Sequence, residues 1–139
     1  MIIDKNKKPG IEFDSVILQK LNFNRDVSTV HPKMDLKVEF NISSTVNSDK
    51  TKATILLEVT IKDSEQSNFF IDCKMVGNFS VIQGDENLDL NQFLNINAPA
   101  LIFPYVRETI SNITMRAGIK PIILPPINMH LVKKSTNNK

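Results

Sequence analysis

The strongest constraint on the fold is a run of ten residues, 53–62, in which Ala53, Ile55, Leu57, Val59 and Ile61 alternate with Thr54, Leu56, Glu58, Thr60 and Lys62. Apolar residues at period two place every second side chain on one face of a strand, so this segment reads as a half-buried β-strand and not as a helix. Leu36, Val38, Phe40 and Ile42 alternate in the same way with Lys37, Glu39, Asn41 and Ser43. The polar stretch between the two runs, rich in Asn, Ser, Asp and Lys, has the length of a turn joining antiparallel neighbours, and a hairpin is expected.

Residues 11–23 and 68–83 suggest two more strands with less tidy alternation. Phe13, Ile17, Leu21 and Phe23 share one parity while Val16 and Leu18 take the other, and Phe69, Ile71, Cys73 and Met75 are opposed by Phe70 and Val76. Apolar residues on both faces predict a second apolar contact, from another subunit or a ligand, in addition to a helix on one face.

Beyond Gly84 and Asp85 the period changes. Residues 88–94 suggest one short helical turn, and Ile102, Val106, Ile110, Ile113 and Ala117 form the stripe of an amphipathic helix over 101–117. Pro99 and Pro104 suit a first turn, where a missing N–H is tolerated, and Gly118 suits a left-handed stop. Pro121, Pro125 and Pro126 then leave 119–129 as an extended apolar run that must lie against something.

With 139 residues the chain is long enough for one domain, expected over 11–131, with flexible polar segments at 1–10 and 132–139. The net charge of +2 and Lys clusters confined to the two ends leave no electrostatic footprint for nucleic acid. The first ten residues contain no continuous apolar stretch, which predicts neither a signal peptide nor a membrane anchor and hence a cytoplasmic protein. The single Cys73 excludes an internal disulfide.

Chemistry is not visible in the residues. His31 and His130 are far apart and neither belongs to a ligand-spaced pair, so no metal site is expected. Cys73, between Ile71 and Met75, reads as a small core residue. Four scattered glycines build no phosphate-cradling loop, and no cofactor is expected. An enzymatic role finds no supporting constellation.

The segment 97–129 carries a resemblance. Its L-I-F-P-Y-V-R-E-T-I-S core (101–111) is similar to the L-F-P-Y-x-R-E-x-I pattern of the SecB family, and Pro121, Leu124, Pro126 and Asn128 are similar to the family's P-x-x-L-x-P-x-N. G-N-F-S-V at 77–81 resembles the family's strand end. The resemblance implies an α+β fold, a four-stranded antiparallel Greek-key sheet with a long helix and a short one on one face, assembled as a homotetrameric dimer of dimers. It implies an ATP-independent holdase whose partners are non-native polypeptides, either preproteins or an antitoxin. The alternative is a scaffolding oligomer that kept the fold and lost general client binding.

On this reading the client groove involves Val30, Met34, Ile122, Leu124, Ile127 and Met129. The oligomer interface involves Phe103, Tyr105, Val106, Arg107, Glu108, Ile110, Ile71 and Cys73, and docking of the SecA motor would fall to Phe70 and Asp72. Three departures stand out. Export relatives carry a long second helix after the P-x-N motif, where ten largely polar residues follow Met129 here; they are typically acidic, where this chain is mildly basic. The family's K-D-I-S-F-E strand end reads Gln19-Lys20-Leu21-Asn22-Phe23-Asn24, which removes two docking acids.

Overall fold

The structure, a computed structural model, describes residues 10–28, 34–65, 68–82 and 90–126. Four strands, β1 (Gly10–Asn24), β2 (Leu36–Val46), β3 (Lys52–Asp63) and β4 (Phe70–Ile82), precede the helical region. They form one antiparallel sheet in the order β1-β4-β3-β2, the Greek-key arrangement. The β2–β3 hairpin is built as the alternation predicts. Its turn is fixed by Asn47, whose Oδ1 accepts from the Thr51 and Lys52 N–H groups, both at 2.9 Å.

One face of the sheet carries the core. Ile55, Leu57, Val59 and Ile61 of β3 and Ile71, Cys73 and Met75 of β4 are buried there. Burial raises the Cys73 thiol to about 11, which keeps it protonated and unreactive at neutral pH.

The untidy alternation of β1 has a specific cause. Its register against β4 slips twice, so that Asp14 and Gln19 are extra residues, or β-bulges. Each bulge reverses the parity of the strand beyond it. Phe13, Val16, Leu18, Leu21 and Phe23 therefore all face the side of Phe79, Gly77, Met75, Cys73 and Ile71, and among the apolar residues of 13–23 only Ile17 remains on the opposite side. The expectation of a two-faced β1 is corrected accordingly. On β4, Phe70 and Val76 do lie on the open face, and Ile17, Val76 and Leu56 form a single apolar row across three strands.

The helical region runs from Leu90 without a break, through α1 (Leu90–Gln92), a π-helical turn at Phe93–Asn97, and α2 (Ala98–Arg116). The helix thus starts earlier than its stripe suggests, and Pro104 lies in its interior and not in the first turn. Pro104 cannot donate to the Ala100 carbonyl, but Ala100 is exposed, so water can satisfy that group. Ala98, Ile102, Val106, Ile110 and Thr114, each four apart, form the fully buried stripe that packs on β4 and β3. Gly118, at φ +75°, ends the helix as expected.

Candidate functional site

Two sheet edges are unpaired among the described residues, and they differ. β1 is interrupted by its bulges, whereas β2 pairs with β3 in unbroken register over its whole length. The Ser64 N–H donates to the Asp35 carbonyl at 3.0 Å, and the Asn47 N–H donates to the Lys52 carbonyl at 3.1 Å. Both pairs share the β2–β3 register, so the odd-numbered residues of β2 are the ones that exchange hydrogen bonds with β3. The N–H and C=O groups of Leu36, Val38, Phe40, Ile42 and Ser44 consequently point away from the sheet, along a regular free edge.

The side chains of those same residues turn toward the helix. Val38 and Phe40 are partly buried, and the Phe40 ring lies 5.9 Å from that of Phe103 on α2. Residues 119–126 run back beside α2 as an extended strap held by two hydrogen bonds. Arg107 Nε donates to the Leu124 carbonyl at 2.7 Å, and the Ile122 N–H donates to Thr114 Oγ1 at 2.9 Å. The Arg107 guanidinium also sits 6.0 Å from the centre of the Phe103 ring. Arg107 thus ties together helix, aromatic ring and strap, and Thr114, which sequence reading passed over, is the second tether.

Of the residues expected in the groove, Met34 and Ile122 are partly buried against the core cluster, and Leu124, 4% exposed, is part of it. Val30, Ile127 and Met129 lie outside the described residues. Of those expected at an oligomer interface, Phe103, Val106, Ile110, Ile71 and Cys73 are between 0% and 4% exposed within the single chain. The chain's own packing already covers them, so they have no surface to offer a partner. Glu108 and Tyr105 are exposed, as are Leu101 and Met115 on the same helix. Beside them the helix-facing side of β1 is only half covered, leaving a shallow groove lined by Leu21, Glu108, Asn112, Ile113 and Arg116.

The open face carries a titratable network. Lys20 and Asp72 form an ion pair of 3.1 Å, and Asp72 Oδ1 is buried without a hydrogen-bond donor. Burial, followed by the neighbouring Asp72 carboxylate, holds the Glu58 carboxyl above its usual range. Burial alone would raise Asp72 too, but the adjacent Glu58 carboxyl together with Lys20 and Lys74 brings it below its usual range. The Glu58 and Asp72 carboxylates therefore repel each other when both are ionised. Lys20, at a position where the resemblance leads one to expect an acid, neutralises the remaining candidate docking acid. Phe70 lies on the same face, partly buried.

Among the described residues, no group of three or more His, Cys, Asp or Glu side chains is arranged to hold a metal ion. No helix among them is long and apolar enough to cross a membrane.

A Greek-key sheet with one long helix across a single face, a strapped helix flank and one regular free edge is an α+β fold of the SecB type. Residues 5–138 match the SecB family, described as preprotein translocase subunit SecB. The chain belongs to the SecB family. A protein-export protein SecB of Thiobacillus denitrificans is 32% identical over 73% of this chain and 65% of its own length. An uncharacterized protein of Methanocaldococcus jannaschii is also 32% identical, over 88% of this chain and 81% of its own. A Mycobacterium tuberculosis SecB-like chaperone, solved in complex with a peptide from the HigA1 antitoxin, shares the fold with a TM-score of 0.68 at 17% identity, covering 84% of this chain and 87% of that one.

Proposed function

We propose that this chain is an ATP-independent holdase that captures extended, non-native polypeptide along the free edge of β2. The observation that carries this reading is the unbroken row of outward backbone groups on Leu36, Val38, Phe40 and Ile42, beside the side chains of Leu36, Val38 and Phe40, which are only partly buried. Backbone pairing at a strand edge is indifferent to client sequence, and alternate client side chains would fall on the helix side, next to Phe40, Val38 and Met34. Burying that surface contributes about 25 cal/mol per Å². The peptide complex of the mycobacterial SecB-like chaperone supports a polypeptide as the ligand.

The working form is a homotetramer, a dimer of dimers, in which a second copy covers Leu101, Tyr105 and Met115 of α2 and the half-covered side of β1. Several edges on one particle would add avidity. The Lys20–Asp72 pair favours a client-dedicated role, such as antitoxin protection, over delivery to the SecA motor, because it leaves no unpaired carboxylate at that position. The test is calorimetric titration with a permanently unfolded polypeptide at two temperatures. Binding with a negative heat-capacity change is expected. Absence of binding by folded protein would favour a scaffolding oligomer instead.

A further inference from the structure

The two flanks of α2 are occupied differently. On the side of β1, Tyr105 meets Phe13 edge-on at 6.2 Å, and the groove beside Glu108 and Arg116 is open. On the side of β2, Phe103 meets Phe40, and Arg107, whose guanidinium lies over the Phe103 ring, holds the Leu124 carbonyl. The strap of residues 119–126 therefore runs along the flank that faces β2, the one into which alternate client side chains would fall. It has the form of an extended apolar peptide. Ile122 and Leu124, two residues apart, turn inward onto the core, while Ile123 between them is 70% exposed. Pro121, Pro125 and Pro126 supply no N–H, and among the described residues the strap makes no backbone hydrogen bond to β2. It fills the side-chain flank and leaves the strand edge free.

We infer that the strap is a built-in occupant of the client flank, which an arriving polypeptide displaces as it pairs along β2. Its attachment is light. Among the described residues two hydrogen bonds hold it, from Arg107 Nε to the Leu124 carbonyl at 2.7 Å and from the Ile122 N–H to Thr114 Oγ1 at 2.9 Å. Gly118 joins it to the helix at φ +75°, in open surroundings, and gives the strap a point about which to swing while the buried stripe of α2 stays in place. Displacement uncovers the core beneath Ile122 and Leu124, and client side chains two residues apart can cover it in their place. The closed strap thus keeps the apolar flank covered in the resting chaperone, and it weakens the apparent client affinity by the fraction of molecules in which the flank is closed. The inference rests on the proposed client binding and adds to it the element that the client must move.

The test has two arms, both using a reduced and alkylated, permanently unfolded polypeptide as the client. In the wild-type protein, the Ile122 amide is expected to lose exchange protection when the client saturates. Thr114→Val keeps the shape of the buried side chain and removes the acceptor of the Ile122 N–H, so it loosens the strap without touching β2. The folded variant should bind the client about fivefold more tightly, the scale of one hydrogen bond no longer favouring the closed strap. An Ile122 amide that keeps or gains protection while the client is bound would overturn the inference whether or not the variant folds, as would a folded Thr114→Val protein with unchanged or weaker affinity. Either result, with the client bound, sinks the displaceable strap alone. If the wild-type protein and the variant both fail to bind, client capture fails as well.

Discussion

Gly77 sets how closely α2 approaches the sheet, and replacing it with alanine should lower stability. A Cβ built there would stand 2.6 Å from Cδ1 and 2.9 Å from Cγ1 of Ile102, and 3.1 Å from Cε1 of Phe79. Ile102 is fully buried and branched at Cβ, so it has few rotamers into which it can retreat. Gly77 has no positive φ, and alanine in a strand interior would otherwise add roughly 0.5–1 kcal/mol. Overpacking costs roughly 1–3 kcal/mol. The expected net loss is therefore about 1–2 kcal/mol, read as a lower urea midpoint at unchanged slope. Ile102→Val removes the atom nearest the new methyl. Alone it should cost about 0.5–1.5 kcal/mol. Combined with Gly77→Ala, it should cost less than the sum of the two by at least about 0.5 kcal/mol. A Gly77→Ala protein as stable as wild type, or strictly additive losses, would refute the argument that this glycine exists to admit Ile102.

Arg107→Ala should remove one of the two tethers of the 119–126 strap, with a loss of about 1–2 kcal/mol and faster amide exchange confined to the strap; Arg107→Lys should not restore the bond with its planar geometry. Leu101→Asp and Met115→Asp, at residues 45% and 57% exposed in the single chain, should leave the monomer folded and reduce the particle mass in light scattering. An unchanged mass would place the interface elsewhere, whereas aspartate at Phe103 or Ile110 should unfold the chain. Glu58→Gln should stabilise the protein at pH 7, since the amide donates to Asp72 without adding charge. In the wild type, the raised Glu58 pKa makes stability fall as pH rises from the ordinary value of 4.5 through the folded one, so the advantage of Gln should shrink on acidification and vanish below 4.5. A pH-independent difference would contradict the account of two adjacent carboxyls that resist joint ionisation.

What the sequence made legible is what local periodicity encodes. The alternation at 53–62 and 36–43 gave the two strands of the hairpin and their apolar face, and the stripe through Ile102, Val106 and Ile110 gave the helix and its buried face. The bulges at Asp14 and Gln19 were not legible, because a bulge is defined by the partner strand, and without β4 the shifted parity of Val16 and Leu18 reads as a second apolar face. The helical stripe likewise cannot say whose surface it covers. Phe103, Val106 and Ile110 fit a subunit interface and an intrachain core equally well by spacing, and only the fold assigns them to the core. Thr114 escaped notice for a related reason: a threonine inside a helix is ordinary until its hydrogen-bond partner beyond the helix is placed beside it.

The central claim, that polypeptide is held along the β2 edge, is tested most directly by residue-resolved amide exchange with and without a saturating unfolded client. Even-numbered amides at Val38, Phe40 and Ile42 point outward and should gain protection, while Lys37, Glu39 and Asn41, already bonded to β3, should change little. Protection that leaves the even-numbered amides of β2 untouched and appears elsewhere on the chain would contradict the account.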